Sequence, residues 1–348
     1  MSNATSHLVR TSVPSATPPE VHITDVGRFL RCRLQWHFAS PLQRNLEPRV
    51  PSKHLLLGTW VHAALEAYYA ADRDGGLLAQ AYRDAVERDR LALEAQEGAV
   101  PEDIRAYMDL GAEMVAHYAV WAPDYDRFEV LATERKVAVE FEGFRYTGKI
   151  DMLVRDDQGR VWVVEHKTYS RIPAATHLGL TLQPALYLYA ARQDPELSSY
   201  GPLEGMLYNI LHKRTPRRPE VLKSGAFSQR ANIACSPQWY RHCLACADVD
   251  PAPYADFIAT LDPWKLNTRH AITMTADRLG IALECFHRVV AEMLSGPTIY
   301  PADPLYTCPT CDYAPLCEMA LYGLPWESLA ALSYQPRGAG DGEEDPDD

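Results

Sequence analysis

Residues 161–168 read V-W-V-V-E-H-K-T, and this octet constrains the fold more tightly than any other stretch of the chain. Strand alternation puts Val161, Val163, Glu165 and Lys167 on one face and Trp162, Val164 and His166 on the other. Both faces begin apolar, so the strand is central and covered on both sides. Glu165 and Lys167 then continue an inward row, where a charge is costly unless it is paired or bound to a metal. Asp151 follows Gly148 on the preceding strand, and a hairpin through D-D-Q-G at 156–159 would bring it beside Glu165. Two carboxylates near a lysine make a site that can hold Mg²⁺ or Mn²⁺. The lysine would orient or deprotonate a water, and the metal would stabilise charge developing on a phosphate. The same residues also permit a plainer reading, a Glu–Lys ion pair at a strand end with an unrelated aspartate.

Around this pair the periodicity changes repeatedly. Residues 1–21 are rich in Ser, Thr and Pro and are expected to be a flexible leader with no apolar core for a secretory signal. Helical patterning covers 55–71, 77–96 and 102–121, strands fill 127–168, helix returns at 174–193, and 203–212 is a further strand. Segments 237–259 and 273–295 look helical and precede a Pro- and Cys-rich end. The order predicts an α/β class with one mixed sheet flanked by helices. We divide the expected domain, 22–322, into an N-terminal helical part (22–126), a core (127–215), a second helical part (216–300) and a cysteine region (301–322). A tail, 323–348, is expected to be disordered from about 338.

G-K-I-D at 148–151 followed by E-H-K at 165–167 resembles the core of PD-(D/E)XK nucleases. His62 in G-T-W-V-H-A-A-L matches the helix histidine that precedes the core in the RecB-like branch. Gln183 and Tyr187 in Q-P-A-L-Y match the helix that follows it, and a spacing of four puts both on one helical face. The resemblance spans roughly 24–322. It implies the restriction-endonuclease-like fold and metal ligation by His62, Asp151, Glu165 and the backbone carbonyl of His166. Lys167 would serve the attacking water, and Gln183 and Tyr187 would sit near the DNA. Glu134 occupies the position of a further acid on the first core strand.

Cys308, Cys311 and Cys317 are spaced C-x2-C-x5-C, an incomplete metal site for which Cys32 is the natural fourth ligand. Spacing alone fits either a four-thiolate iron–sulfur cluster or a structural Zn²⁺. The split arrangement resembles RecB-like iron–sulfur nucleases, including phage-type and CRISPR-adaptation exonucleases, and the resemblance implies a [4Fe–4S] centre. Cys243 and Cys246, with Cys235 and His242 close by, look like half of a second site, but 237–259 reads as helix, where cysteine more often serves as a small buried hydrophobe, and Cys285 stands apart.

The chain carries 34 Lys and Arg against 46 Asp and Glu, a net charge of −12. Six of the acids lie beyond Arg337, and 211–230 holds six basic side chains against Glu220 alone. That local excess suits either a solvated surface loop or a phosphate-tracking rim, and the stretch resembles the basic, proline-containing loop of phage-borne members of the family, which implies the rim. The reading is a metal-dependent DNA nuclease, an exonuclease of recombination, repair or phage DNA processing, in a bacterial or infected-host cytoplasm. No G-x-x-x-x-G-K-[ST] loop is present, so any helicase or recombinase would be a separate chain. No apolar run is long enough for a membrane span. Two other readings are a non-catalytic iron–sulfur DNA-binding subunit and a zinc-stabilised adaptor.

Overall fold

A computed structural model describes residues 18–338. Nearly all of the expected leader, and the acidic end after 338, lie outside the described residues. A short strand β1 (Glu20–Val21) leads into helices α1 (Ile23–Arg31) and α2 (Arg33–Ala39) and strand β2 (Leu46–Pro48). Three long helices follow, α3 (Lys53–Ala70), α4 (Gly75–Glu97) and α5 (Glu102–Trp121). Strands β3 (Phe128–Phe141), β4 (Phe144–Asp156) and β5 (Val161–Tyr169) come next. Helices α6 (Ala175–Leu180), α7 (Gln183–Gln193) and α8 (Pro195–Ser199) carry the chain to β6 (Leu203–His212). Then come α9 (Pro237–Cys246), α10 (Ala255–Thr260), β7 (Asn267–Thr273) and α11 (Ala276–Leu294). Helices α12 (Pro304–Thr307), α13 (Ala314–Leu321) and α14 (Trp326–Ser333) and strand β8 (Tyr334–Pro336) complete the order.

The main sheet runs β1-β4-β5-β6-β7, with β3 also paired to β4. β5 is central, as its two apolar faces require: it is antiparallel to β4 and parallel to β6. The parallel return needs a crossover, which α6–α8 supply. One gap in the pairing matters for function. β1 pairs with β4 as far as Val21↔Tyr146, and β5 takes over only at Met152↔Val164. Between these points β4 keeps β3 on one side and parts from β5 on the other. Asp151 and Glu165 are the next residues in that register, at the fork where the strands diverge.

One sheet face packs on α1, α7 and α11 through residues such as Phe29, Leu186 and Phe286. The other packs on α3, α4 and α5 through Trp60, Leu65 and Trp121. α3 is apolar on nearly every side, so it is buried between its neighbours and the sheet. Its start is fixed by Ser52, whose hydroxyl accepts the Leu55 N–H at 3.3 Å. Asp74 caps α4 in the same way, and Gly98, with φ of 79°, ends it. Two smaller cores stand apart from the sheet. One gathers Cys32, Phe38, Leu316, Cys317 and Trp326, and the other Cys235, Tyr240, Leu244 and Ile258.

The structure departs from the sequence expectations in four places. The helix expected over 174–193 is broken at Thr181–Leu182, because Pro184 fits only the first turn of a helix. Pro251 and Pro253 likewise divide the helix expected over 237–259. Residues 267–273 form β7, which polar Asn267, Arg269 and His270 had disguised. After 323 the chain builds α14 and then β8, which pairs with β2.

Candidate active site

At the fork between β4 and β5, Asp151 and Glu165 are 6 % and 4 % exposed. Asp151 Oδ2 accepts the backbone N–H of His166 at 2.7 Å. Its other oxygen lies 3.7 Å from His62 Nδ1, which α3 delivers from the helical side. Glu165 Oε1 accepts from Gln183 Nε2 at 2.9 Å and forms an ion pair with Lys167 Nζ at 3.1 Å. Gln183 is in turn held by the Tyr208 hydroxyl at 3.4 Å. Lys167 from the same strand face and Gln183 from the first turn of α7 therefore meet at the single carboxylate of Glu165.

Tyr187, one helical turn on from Gln183, is buried against β4. Gly148 leaves room for it: a Cβ there would stand 3.2 Å from the Tyr187 ring and 2.8 Å from the Tyr146 hydroxyl. The His166 ring points to the opposite sheet face, where it stacks on Tyr69 with centroids 5.6 Å apart. Glu134 sits between the pairs Thr133↔Met152 and Arg135↔Ile150, across from Asp151. It adopts φ of 49° and binds Lys149 Nζ at 2.5 Å. A non-glycine residue in this region stores on the order of 1–3 kcal/mol of strain, which the surrounding sheet must hold in place.

Burial, then the charge of Glu134, pushes the Asp151 carboxyl up to about 7. Burial, then the neighbouring Asp151, holds Glu165 well above the usual carboxylate range. Each pays for being desolvated beside another acid, the condition a bound cation relieves. Glu165 Oε2 and His62 Nε2 are buried without a hydrogen-bond partner among the described residues. Orphaned acceptors of this kind around two stressed carboxylates fit a divalent cation. Among the described residues no three His, Cys, Asp or Glu side chains are already drawn into ligating geometry.

Beside the fork opens a groove of about 2430 Å³. Its walls include Lys53 and Arg88 from the helical layer, Gly148 and Lys149 from β4, Thr168 from β5, and Tyr306 and Cys311 from the cysteine region. Eleven Lys and Arg line it against six Asp and Glu, a positive concavity in an acidic chain.

A family model of the PD-(D/E)XK nuclease superfamily matches residues 23–318. The chain belongs to this superfamily. No curated protein matches it. Among solved structures, this PD-(D/E)XK chain is similar to a candidate exonuclease from Eubacterium rectale, with a TM-score of 0.44 and 14% identity over 84% of this chain and 86% of that one. It is also similar to SSO0001, with a TM-score of 0.33 and 13% identity over 90% and 91% of the two chains. PD-(D/E)XK nucleases use Mg²⁺ or Mn²⁺, in agreement with the donor set at the fork.

Away from the fork, Cys32, Cys311 and Cys317 share one small core, and Cys308 begins the turn that leads to Cys311. None is in a disulfide. Cys32 caps α2, its sulfur accepting N–H groups from Gln35 at 3.5 Å and Ala302 at 3.3 Å. Burial, and then the Cys311, Cys32 and Cys308 thiols, raise Cys317 far above the usual thiol range. Among the described residues these thiols, like the second cysteine group, are not drawn together into a set that could hold a metal.

The second cysteine group builds no metal site among the described residues. Cys235 is buried and donates to the Ser236 carbonyl at 3.3 Å, Cys246 lies 3.5 Å from His242 Nε2, and Cys285 is exposed on α11. In the basic run, Arg230 pairs with Glu220, Arg218 lies over Trp239, and Lys213 alone lines the groove. Sequence reasoning missed Tyr69, Tyr118, Asp126, Asn209 and Arg269, which cluster behind His166. Their separation along the chain left no local signal to find them by.

Proposed function

We propose that this chain is a metal-dependent DNA nuclease that hydrolyses phosphodiester bonds from DNA ends, of the RecB-like kind. The observation that carries the reading is the meeting of Asp151, Glu165, Lys167 and Gln183 at one buried point beside a positive groove. Asp151, Glu165, His62 and the carbonyl of His166 would hold a Mg²⁺ or Mn²⁺ ion, which when bound stabilises the negative charge that develops on the phosphate. Lys167, held by Glu165, orients the attacking water and favours loss of its proton. Gln183 keeps Glu165 turned toward the fork, and Tyr187 closes the site over Gly148. The groove's cations draw the phosphate backbone in. Cys32, Cys308, Cys311 and Cys317 would hold a [4Fe–4S] cluster, with Zn²⁺ the competing occupant, joining α2 to the chain beyond α11.

The deciding experiment is cleavage of end-labelled single-stranded DNA with Mg²⁺ or Mn²⁺ by anaerobically purified wild type and Lys167→Ala, beside a circular strand. Loss of the linear strand with wild type alone, the circle surviving, is the expected result. Equal inactivity of both proteins, with metals confirmed present, would sink the nuclease reading in favour of a DNA-binding subunit.

A further inference from the structure

His166, Asn209 and Arg269 are register neighbours across β5, β6 and β7, on the sheet face turned away from Glu165 and Lys167. They form a continuous hydrogen-bonded row. His166 Nδ1 meets Asn209 Nδ2 at 3.0 Å, and Asn209 Oδ1 accepts from Arg269 Nε at 3.1 Å. Arg269 pairs with Asp126 and donates to the Tyr125 carbonyl at 2.8 Å. Tyr118 accepts from Asn209 Nδ2 at 2.9 Å, and Tyr69 bonds to both Tyr118 and Asp126 while stacking on His166. The Asp126 side chain is fully buried and that of Arg269 10 % exposed.

Such a network is expensive to bury within an otherwise apolar core. Its position gives it a task. In a strand, side chains alternate about a shared backbone, so fixing the middle residue from one face fixes how its two neighbours point on the other. His166 lies between Glu165 and Lys167, and its own N–H holds Asp151. Its ring is held by the Tyr69 stack, the edge of His62 at 6.0 Å and the Asn209 bond.

We propose that Asn209 and Arg269, anchored on Asp126, are positioning residues that set the metal affinity of the fork by locking His166 from behind. This rests on the metal-dependent reading above. Outer-shell groups of this type are worth about 10–100-fold in metal affinity.

The test is Mn²⁺ binding without DNA, followed by electron paramagnetic resonance well below each protein's melting temperature. Asn209→Leu removes the hub of the row. His166→Phe keeps the aromatic stack and the backbone but loses the ring's hydrogen bond. Ile258→Ala, a cavity in the separate small core, is the stability control. Asn209→Leu and His166→Phe are expected to bind Mn²⁺ about tenfold more weakly or worse, while Ile258→Ala melts earlier at unchanged affinity. If Asn209→Leu does not fold, His166→Phe decides. Wild-type affinity in His166→Phe, or equal weakening in Ile258→Ala, would reduce the row to ordinary structural support. A wild type that binds no Mn²⁺ would overturn the metal reading itself, and the row's role with it.

Discussion

The backbone N–H of His166 reaches across the fork between β4 and β5 to Asp151 Oδ2 at 2.7 Å, replacing a ladder bond that the diverging strands no longer make. One peptide group thus ties the two acidic strands together at the point where they part. The arrangement makes both carboxylates sensitive to small changes in either strand.

Lys167 is 2 % exposed and paired with Glu165, so its replacement separates chemistry from folding best when volume is kept. Lys167→Met is expected to lower the cleavage rate by about 10²-fold or more while the protein stays folded. Rate measured on a labelled strand, beside a melting curve, checks both halves. Activity within a few-fold of wild type would remove Lys167 from the reaction.

The Asp151 carboxyl titrates near 7 in the folded chain against an ordinary 3.8, so folding binds its proton more tightly. Its contribution to the metal-free protein's stability is therefore complete below about pH 4 and is lost as pH rises through about 7. Asp151→Asn removes that loss. Without metal at pH 8 the variant should be the more stable, by up to on the order of 4 kcal/mol. Denaturant titrations at pH 5 and pH 8 measure the difference, and an equal gain at both values would contradict it.

Gly148 is confined by the Tyr146 hydroxyl and the Tyr187 ring. Gly148→Ala must push one of them aside, costing about 1–3 kcal/mol. Because Tyr187 borders the fork, cleavage should weaken along with the melting temperature. Gly280, with open space around it, serves as the comparison, and its alanine variant is expected to lose neither.

The cysteine region predicts a visible property. Protein purified without oxygen should be brown if the four thiols hold iron and sulfide, and colourless if they hold zinc. If either is bound, Cys317→Ser should lower the melting temperature by about 5 °C or more, since a metal held there would join segments distant in sequence. Metal analysis of the purified protein separates the two occupants.

Much of the site was legible because its determinants are local. Apolar flanks marked β5 as central, alternation put Glu165 beside Lys167, and the D-D-Q-G turn set the register that brings Asp151 to Glu165. His62 and Gln183 carried no such signal, since a histidine on an alanine-rich helix and a glutamine at a helix start are ordinary; resemblance alone singled them out. β7 escaped notice because its alternation is broken by Asn267, Arg269 and His270, whose partners are His117, Asn209, Asp126 and β6. Those partners come from other elements, and no window of sequence contains them.

The pairing of β2 with β8 has a consequence for how the chain is made. Glu47 and Gln335, bonded side chain to side chain, are 288 residues apart. During synthesis α2 and β2 emerge early, yet the partners that bury them, α13, α14 and β8, arrive only after the whole nuclease sheet. The sheet is therefore translated while the small core around Cys32 is still half built, its other half not yet made. At about 5–20 residues per second that interval is on the order of tens of seconds, long enough for an unaccompanied apolar surface to find the wrong neighbour.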